Sequence, residues 1–145
     1  MKATIKPFPV GCLLTLCLVA VSQVTGQLLA GKCNSVFSSA TKKKFCDATK
    51  YQIIAGADMD KMLDCVLKAV KVVDQTGMGE YHALYDPMNK IKRDPKHDYI
   101  LEMCIGGSHN MEPPTKRAHE FYKCMMESDS KEAFKKALNE KVCKK

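Results

Sequence analysis

The side chains of this sequence that could carry chemistry are its cysteines, histidines and methionines. Cys65 lies on an apolar helical stripe, and no second cysteine occurs within ten residues on either side. In an oxidising compartment, a cysteine of this kind is more often half of a disulfide than a reactive thiol or a metal ligand. We therefore interpret Cys65 as a residue that joins its helix to a distant segment.

The N-terminus predicts that the chain is exported. Lys2 and Lys6 precede an apolar run from 10 to 22, and Val24 and Gly26 occupy the small-residue positions of a cleavage site. The apolar run is shorter than the roughly 20 residues that a membrane-spanning helix needs. We predict a signal peptide at 1–26, a single domain at 27–145, secretion to the extracellular fluid, and no insertion in a membrane.

Six cysteines remain after this cleavage, and an even set in an exported chain predicts three disulfides. Fifteen pairings are possible, and counting cannot choose among them. Removal of two lysines with the signal lowers the formal charge from +7 to +5. We interpret the remaining lysines as solubilising and predict no nucleic-acid partner.

Catalytic motifs are missing from the sequence. It contains no G-x-S-x-G, no H-E-x-x-H and no phosphate-binding glycine loop. Ser108 and His109 are neighbours in sequence, which does not place their side chains within reach of each other. We predict that the protein is not an enzyme and that it uses no cofactor. The four histidines stand singly in four segments and predict no metal site: His82, His97, His109 and His119.

Apolar residues recur at helical spacing through most of the chain, and strand-like alternation is scarce. The clearest stripe runs from Met59 to Val73, with Gly77 available as a C-cap. A short helix around Ile100 is expected to stop at Gly106, and a last helix begins with Asp129 as N-cap and Glu132 three residues later. The sequence predicts an all-α fold, a compact bundle of about six short helices stapled by three disulfides.

The cysteine spacing and two segments resemble those of insect odorant-binding proteins. Cys33, Cys65, Cys104 and Cys124 match the four-cysteine skeleton of the reduced-cysteine type, which lacks the second and fifth family cysteines. "CVLKAVKVVDQTG" resembles the helix of the third family cysteine, and "RAHEFYKCMMES" resembles the helix of the last one. The absent cysteines would fall near 61 and 115. Six-cysteine secreted proteins of chelicerate arthropods are also similar.

This resemblance implies disulfides Cys33–Cys65 and Cys104–Cys124, with Cys46 and Cys143 as an extra pair. It also implies a carrier that binds small hydrophobic molecules in an interior apolar cavity. The helical stripes then predict a lining that combines apolar side chains with two tyrosines: Met62, Val66, Leu84, Tyr85, Met88, Tyr99, Ile100, Met103, Phe121, Met125, Phe134 and Leu138.

A second hypothesis is a secreted antimicrobial or host-interaction effector. The segment "CMMESDSKEAFKKAL" is similar in style to microplusin-like proteins of arthropods, some of which withhold copper. A metal-withholding function requires the four histidines to converge. A third hypothesis is an interaction protein with a solid core. Neither the ligand nor the oligomeric state follows from the sequence.

Overall fold

The computed structural model describes residues 32–144, and the predicted signal peptide lies outside these residues. Six helices follow one another along the described chain: α1 (Ser39–Asp47), α2 (Met59–Ala69), α3 (Tyr81–Ile91), α4 (Lys96–Ser108), α5 (Thr115–Glu127) and α6 (Lys131–Val142). Between residues 32 and 144, β structure is limited to one bridge that pairs Val73 with Gly79. The prediction of an all-α fold with about six short helices is confirmed.

Local side-chain chemistry begins the first two helices. The Ser38 hydroxyl accepts a hydrogen bond from the Thr41 amide at 3.2 Å, and the Asp58 carboxylate accepts one from the Lys61 amide at 3.2 Å. Both bonds satisfy amides that have no partner within the helix. For α6 the predicted N-cap was wrong, because Ser130 and not Asp129 precedes the first helical residue.

Helix α2 ends earlier than its apolar stripe predicted. The Val72 amide turns back to the Leu67 carbonyl at 2.9 Å, and Lys71 adopts a φ of 57° between them. This is the geometry of a helix C-terminus closed by a left-handed residue. Gly77 therefore caps no helix. Its φ is 86°, and a Cβ there would lie 2.8 Å from the Pro114 carbonyl oxygen, so this turn packs directly against the start of α5.

Helix α4 continues through both glycines at which it was expected to stop. Gly106 and Gly107 lie within Lys96–Ser108, and each costs a helix about 1 kcal/mol relative to alanine. The disulfide from buried Cys104 to α5 offsets that cost. Within the helix, the hydroxyl of buried Ser108 also donates a hydrogen bond to the Ile105 carbonyl.

Five helix pairs form the body of the domain: α2 with α5, α4 with α5, α3 with α6, α3 with α4, and α5 with α6. The largest fully buried side chains come from every helix, and they include three phenylalanines and four methionines. The structure forms Cys33–Cys65, Cys46–Cys143 and Cys104–Cys124, the same pairs that the family resemblance implies. Because Cys46 lies in α1 and Cys143 follows α6, the second bridge connects the first and last described helices.

Candidate functional site

The predicted cavity lining falls largely within one hydrophobic core. Nine of its twelve residues are buried there, and Tyr85 is half-buried against it. These nine residues come from five helices: Met62, Val66, Leu84, Met88, Ile100, Phe121, Met125, Phe134 and Leu138. The structure therefore brings them together, and their role in ligand binding stays a prediction.

Tyr99 and Met103 lie on the outer surface of α4 and not in this core. Tyr99 is 69% exposed and Met103 is 46% exposed. The inward face of α4 is instead set by Cys104, which is bridged to α5, and by His97. The two nitrogens of His97 lie 2.8 Å from the Ser130 hydroxyl and 2.8 Å from the Lys92 carbonyl. The side of α4 that carries Tyr99 and Met103 therefore faces solvent, whereas the prediction placed these two side chains in the interior.

Aromatic rings form a connected group at one side of the core, which we call the aromatic core. Phe45 is central: its ring centroid lies 5.7 Å from that of Phe37 and 5.5 Å from that of Tyr122. Tyr122 continues the group to Phe134 at 6.1 Å, and Phe134 continues it to Phe121 at 6.1 Å. Offset and edge-to-face ring pairs at these distances are favourable.

Sequence reasoning did not place Phe45 at this site. Its position next to Cys46 could have indicated this location. The disulfide of Cys46 with Cys143 brings this end of α1 into contact with α6. Tyr122 lies on α5, and its contact with Phe45 joins segments 77 residues apart in the sequence, so it depends on the tertiary fold.

A cleft of about 410 Å³ lies beside the aromatic core, between the end of α1 and the length of α6. We call it the α1–α6 cleft. Its walls carry two carboxylates, three lysines and one amide: Asp47, Glu132, Lys131, Lys135, Lys136 and Asn139. Its volume falls within the range of small-molecule sites. Asn139 is oriented by its amide, which donates to the Cys46 carbonyl at 3.1 Å.

Lys135 joins the cleft to the aromatic core. Its Nζ donates to the Phe45 carbonyl at 2.6 Å and lies 4.2 Å from the centroid of the Phe45 ring. The side chain is only 7% exposed. Burial lowers the pKa of Lys135 to about 8, and the nearby Asp47 carboxylate opposes that change. A buried ammonium of this kind is a strong hydrogen-bond donor for a ligand oxygen.

The depressed pKa of Lys135 predicts a distinct pH dependence of stability. The unfolded chain holds this proton up to about pH 10.5, whereas the folded protein releases it near pH 8. The folded state therefore binds fewer protons between these values, and stability rises with pH in that window. We expect the free energy of unfolding of the wild type, relative to Lys135→Met, to rise by about 1–3 kcal/mol from pH 8 to pH 10.5.

Urea unfolding at several pH values measures this difference. Lys136→Met is the matched control, because Lys136 is an exposed neighbour on the same helix, and its difference from the wild type should stay flat. A flat profile for Lys135→Met as well would contradict the assigned burial of the ammonium group.

Tyr51, His119 and Asp60 form a chain of hydrogen bonds next to the aromatic core. The Tyr51 hydroxyl lies 2.7 Å from His119 Nε2, and His119 Nδ1 lies 2.5 Å from Asp60 Oδ1. Partial burial raises the pKa of Tyr51, with further contributions from Glu120, Glu127 and Asp60. This chain ties the segment before α2 to α2 and α5, and it holds the Tyr51 ring 6.4 Å from that of Tyr122.

The four histidines lie apart from one another in the structure. His97 is bound by Ser130 and Lys92, His119 by Tyr51 and Asp60, and His109 faces Met78, while His82 is exposed. Within residues 32–144, no group of three or more His, Cys, Asp or Glu side chains is placed to hold a metal ion. In the same part of the chain, none of the helices has both the length and the apolarity to cross a bilayer.

Comparison with known proteins gives one consistent result. The model of the PBP/GOBP family matches residues 22–128. The chain is 44% identical over 108 residues to the short form salivary protein D7R1 of Anopheles stephensi, which covers 74% of this chain and 64% of that protein. It is 40% identical over 126 residues to the short form salivary protein D7R4 of Anopheles gambiae, covering 87% and 74%.

A solved structure is similar at the level of the fold and the sequence. The crystal structure of the Anopheles gambiae D7R4–norepinephrine complex aligns with a TM-score of 0.64 and 40% identity, and the alignment covers 77% of this chain and 76% of that chain.

Proposed function

The chain belongs to the PBP/GOBP family of odorant-binding-like proteins, and from this premise we propose that it is a secreted carrier that binds a small aromatic amine in the α1–α6 cleft. The observation that carries the proposal is the 40% identity to a protein whose crystal structure contains norepinephrine. Secretion is supported by the predicted signal peptide and by the salivary origin in the names of the relatives.

The groups of an aromatic amine each have a counterpart at this cleft. An aromatic ring suits the apolar part of the cleft wall at Cys46 and Ala48, where burial of apolar surface contributes about 25 cal/mol per Å². Ligand hydroxyls suit Lys135 and Asn139, whose polar groups line the cleft. The ammonium group suits the exposed carboxylates of Glu132 and Asp47, although Asp47 is already paired with Lys43 at 2.6 Å.

A second candidate ligand is the purely apolar molecule that the family resemblance implied. The observation in its favour is the number of buried methionines: Met59, Met62, Met88, Met125 and Met126. Methionine side chains are flexible and can repack around apolar shapes. A ligand in this position would separate α2, α3 and α5 in the interior instead of occupying the cleft.

We expect the carboxylates of Asp47 and Glu132 to discriminate the amine from its uncharged analogue. Isothermal titration of the disulfide-bonded secreted protein should show saturable binding of norepinephrine, with catechol weaker by roughly 10-fold or more, because a charge-assisted bond is worth about 1.5–3 kcal/mol. The double substitution Asp47→Asn with Glu132→Gln should reduce norepinephrine affinity toward that of catechol, since the ammonium loses both acceptors.

Two controls make this measurement specific. Asp86→Asn with Glu102→Gln removes the same charge from exposed positions on α3 and α4, and it should leave the affinity within about 2-fold, as distant surface charges are screened. Tyr99→Ala should also leave it unchanged, because that side chain lies on the outer face of α4. Equal binding of norepinephrine and catechol would contradict the amine assignment, and saturable binding of decanoic acid alone would support the apolar ligand.

A further inference from the structure

The charges of this protein are unevenly distributed along the fold. Residues 39–50 and 131–144, which contain α1 and α6, hold nine lysines and three carboxylates, a formal charge of +6. Residues 51–130, which contain the other four helices, hold ten basic and thirteen acidic side chains, a formal charge of −3. The positive charge of the chain is therefore concentrated on its first and last described helices.

The tertiary structure joins the C-terminal end of α1 to α6. The Cys46–Cys143 bridge joins them with a Cα–Cα distance of 5.9 Å. The hydrogen bonds of Lys135 to Phe45 and of Asn139 to Cys46 continue the contact along α6. We call the exposed or half-buried lysines of this region the basic face: Lys42, Lys43, Lys44, Lys50, Lys131, Lys136, Lys141 and Lys144.

Most of the basic face is not neutralised by neighbouring carboxylates. Lys43 pairs with Asp47 at 2.6 Å, and Lys144 pairs with Glu140 at 3.4 Å. The other six lysines of the face have no carboxylate of the described chain within 4.0 Å. Unpaired like charges concentrated on two joined helices repel one another, and a polyanion would relieve that repulsion while it releases counterions.

The face lacks the apolar groups that other polyanionic partners use. The exposed large hydrophobic side chains between residues 32 and 144 are Ile53, Tyr99 and Met103, and none of them lies on α1 or α6. Insertion in a membrane surface requires such side chains, and single-stranded nucleic acid is usually bound with aromatic stacking. We propose that the basic face binds a linear sulfated polysaccharide. Its extracellular setting rests on the secretion proposed above, whereas the binding itself does not depend on the small-ligand site.

Affinity for heparin tests this inference with two charge-matched variants. The first variant carries Lys44→Gln, Lys50→Gln and Lys141→Gln, three positions on the basic face outside the walls of the α1–α6 cleft. The second carries Lys61→Gln, Lys92→Gln and Lys116→Gln, three exposed positions elsewhere. Both lose three positive charges, so they have the same net charge. Helical content and the midpoint of thermal unfolding establish that both are folded.

We expect the wild type to bind heparin with a dissociation constant that rises steeply with sodium chloride. The basic-face variant should bind roughly 10-fold more weakly, and the second variant should stay within about 2-fold. De-sulfated heparin should not bind. Equal losses in the two variants would overturn the assignment of the face. Stronger binding to phosphatidylserine vesicles or to a single-stranded oligonucleotide than to heparin would overturn the assignment of the partner.

Norepinephrine titration of the same variants separates this inference from the proposed function. Lost heparin binding with unchanged norepinephrine binding would support the basic face as an independent site. If the wild type binds no amine but heparin still binds the basic-face variant more weakly than the second variant, the amine ligand is disproved and the basic face is not.

Discussion

Replacing Cys46 and Cys143 together by alanine should lower the free energy of unfolding by about 4–5 kcal/mol, because this bridge closes a long loop. The two cysteines are 97 residues apart in sequence, so the bridge restricts the unfolded chain over most of its described length. In the chain-entropy account, the stabilisation grows with the logarithm of loop length. The same substitution removes the covalent link between α1 and α6 and leaves only their hydrogen bonds, and we expect it to weaken ligand binding in the α1–α6 cleft.

The matched control is the double alanine variant of Cys104 and Cys124. That bridge spans 20 residues between adjacent helices, and its loss should cost about 3 kcal/mol. Urea denaturation under non-reducing conditions gives both values. If the Cys104–Cys124 variant proved the less stable of the two, loop closure would not be the main source of stabilisation by these bridges.

Phe134→Ala should lower the free energy of unfolding by about 3–5 kcal/mol, the range for a buried phenylalanine that leaves a cavity. Phe134 is fully buried on α6, and its ring packs against Phe121 and Tyr122 of α5, each at a centroid distance of 6.1 Å. The substitution removes both ring contacts and the apolar area that they bury. The helices around it are held by disulfides, so they can collapse into the space only in part.

Ile53→Ala is the control for this measurement, since Ile53 is 62% exposed and its truncation should change stability by no more than about 0.5 kcal/mol. Chemical denaturation of both variants at neutral pH is sufficient. A loss below about 1 kcal/mol for Phe134→Ala would show that the aromatic core is loosely packed, and it would favour an interior apolar ligand over one in the cleft.

The family resemblance predicted the disulfide pairing, which the local sequence pattern alone could not. Six cysteines allow fifteen pairings, and the extra Cys46–Cys143 pair follows from the resemblance once Cys33–Cys65 and Cys104–Cys124 are assigned. The predicted cavity lining was only partly inward-facing, because a stripe on a short helix can be read in more than one phase. In α4 a bridged cysteine and a buried histidine set that phase, and they turned Tyr99 toward solvent.

The sequence by itself determined the helical class and most helix positions, because these depend on residues three or four apart. Only the tertiary structure decided where α2 ends, why α4 continues through two glycines, and where Lys135 lies. The Nζ of Lys135 donates to the Phe45 carbonyl across 90 residues of chain. No local periodicity encodes such a contact, because it exists only after the first and last described helices have been joined.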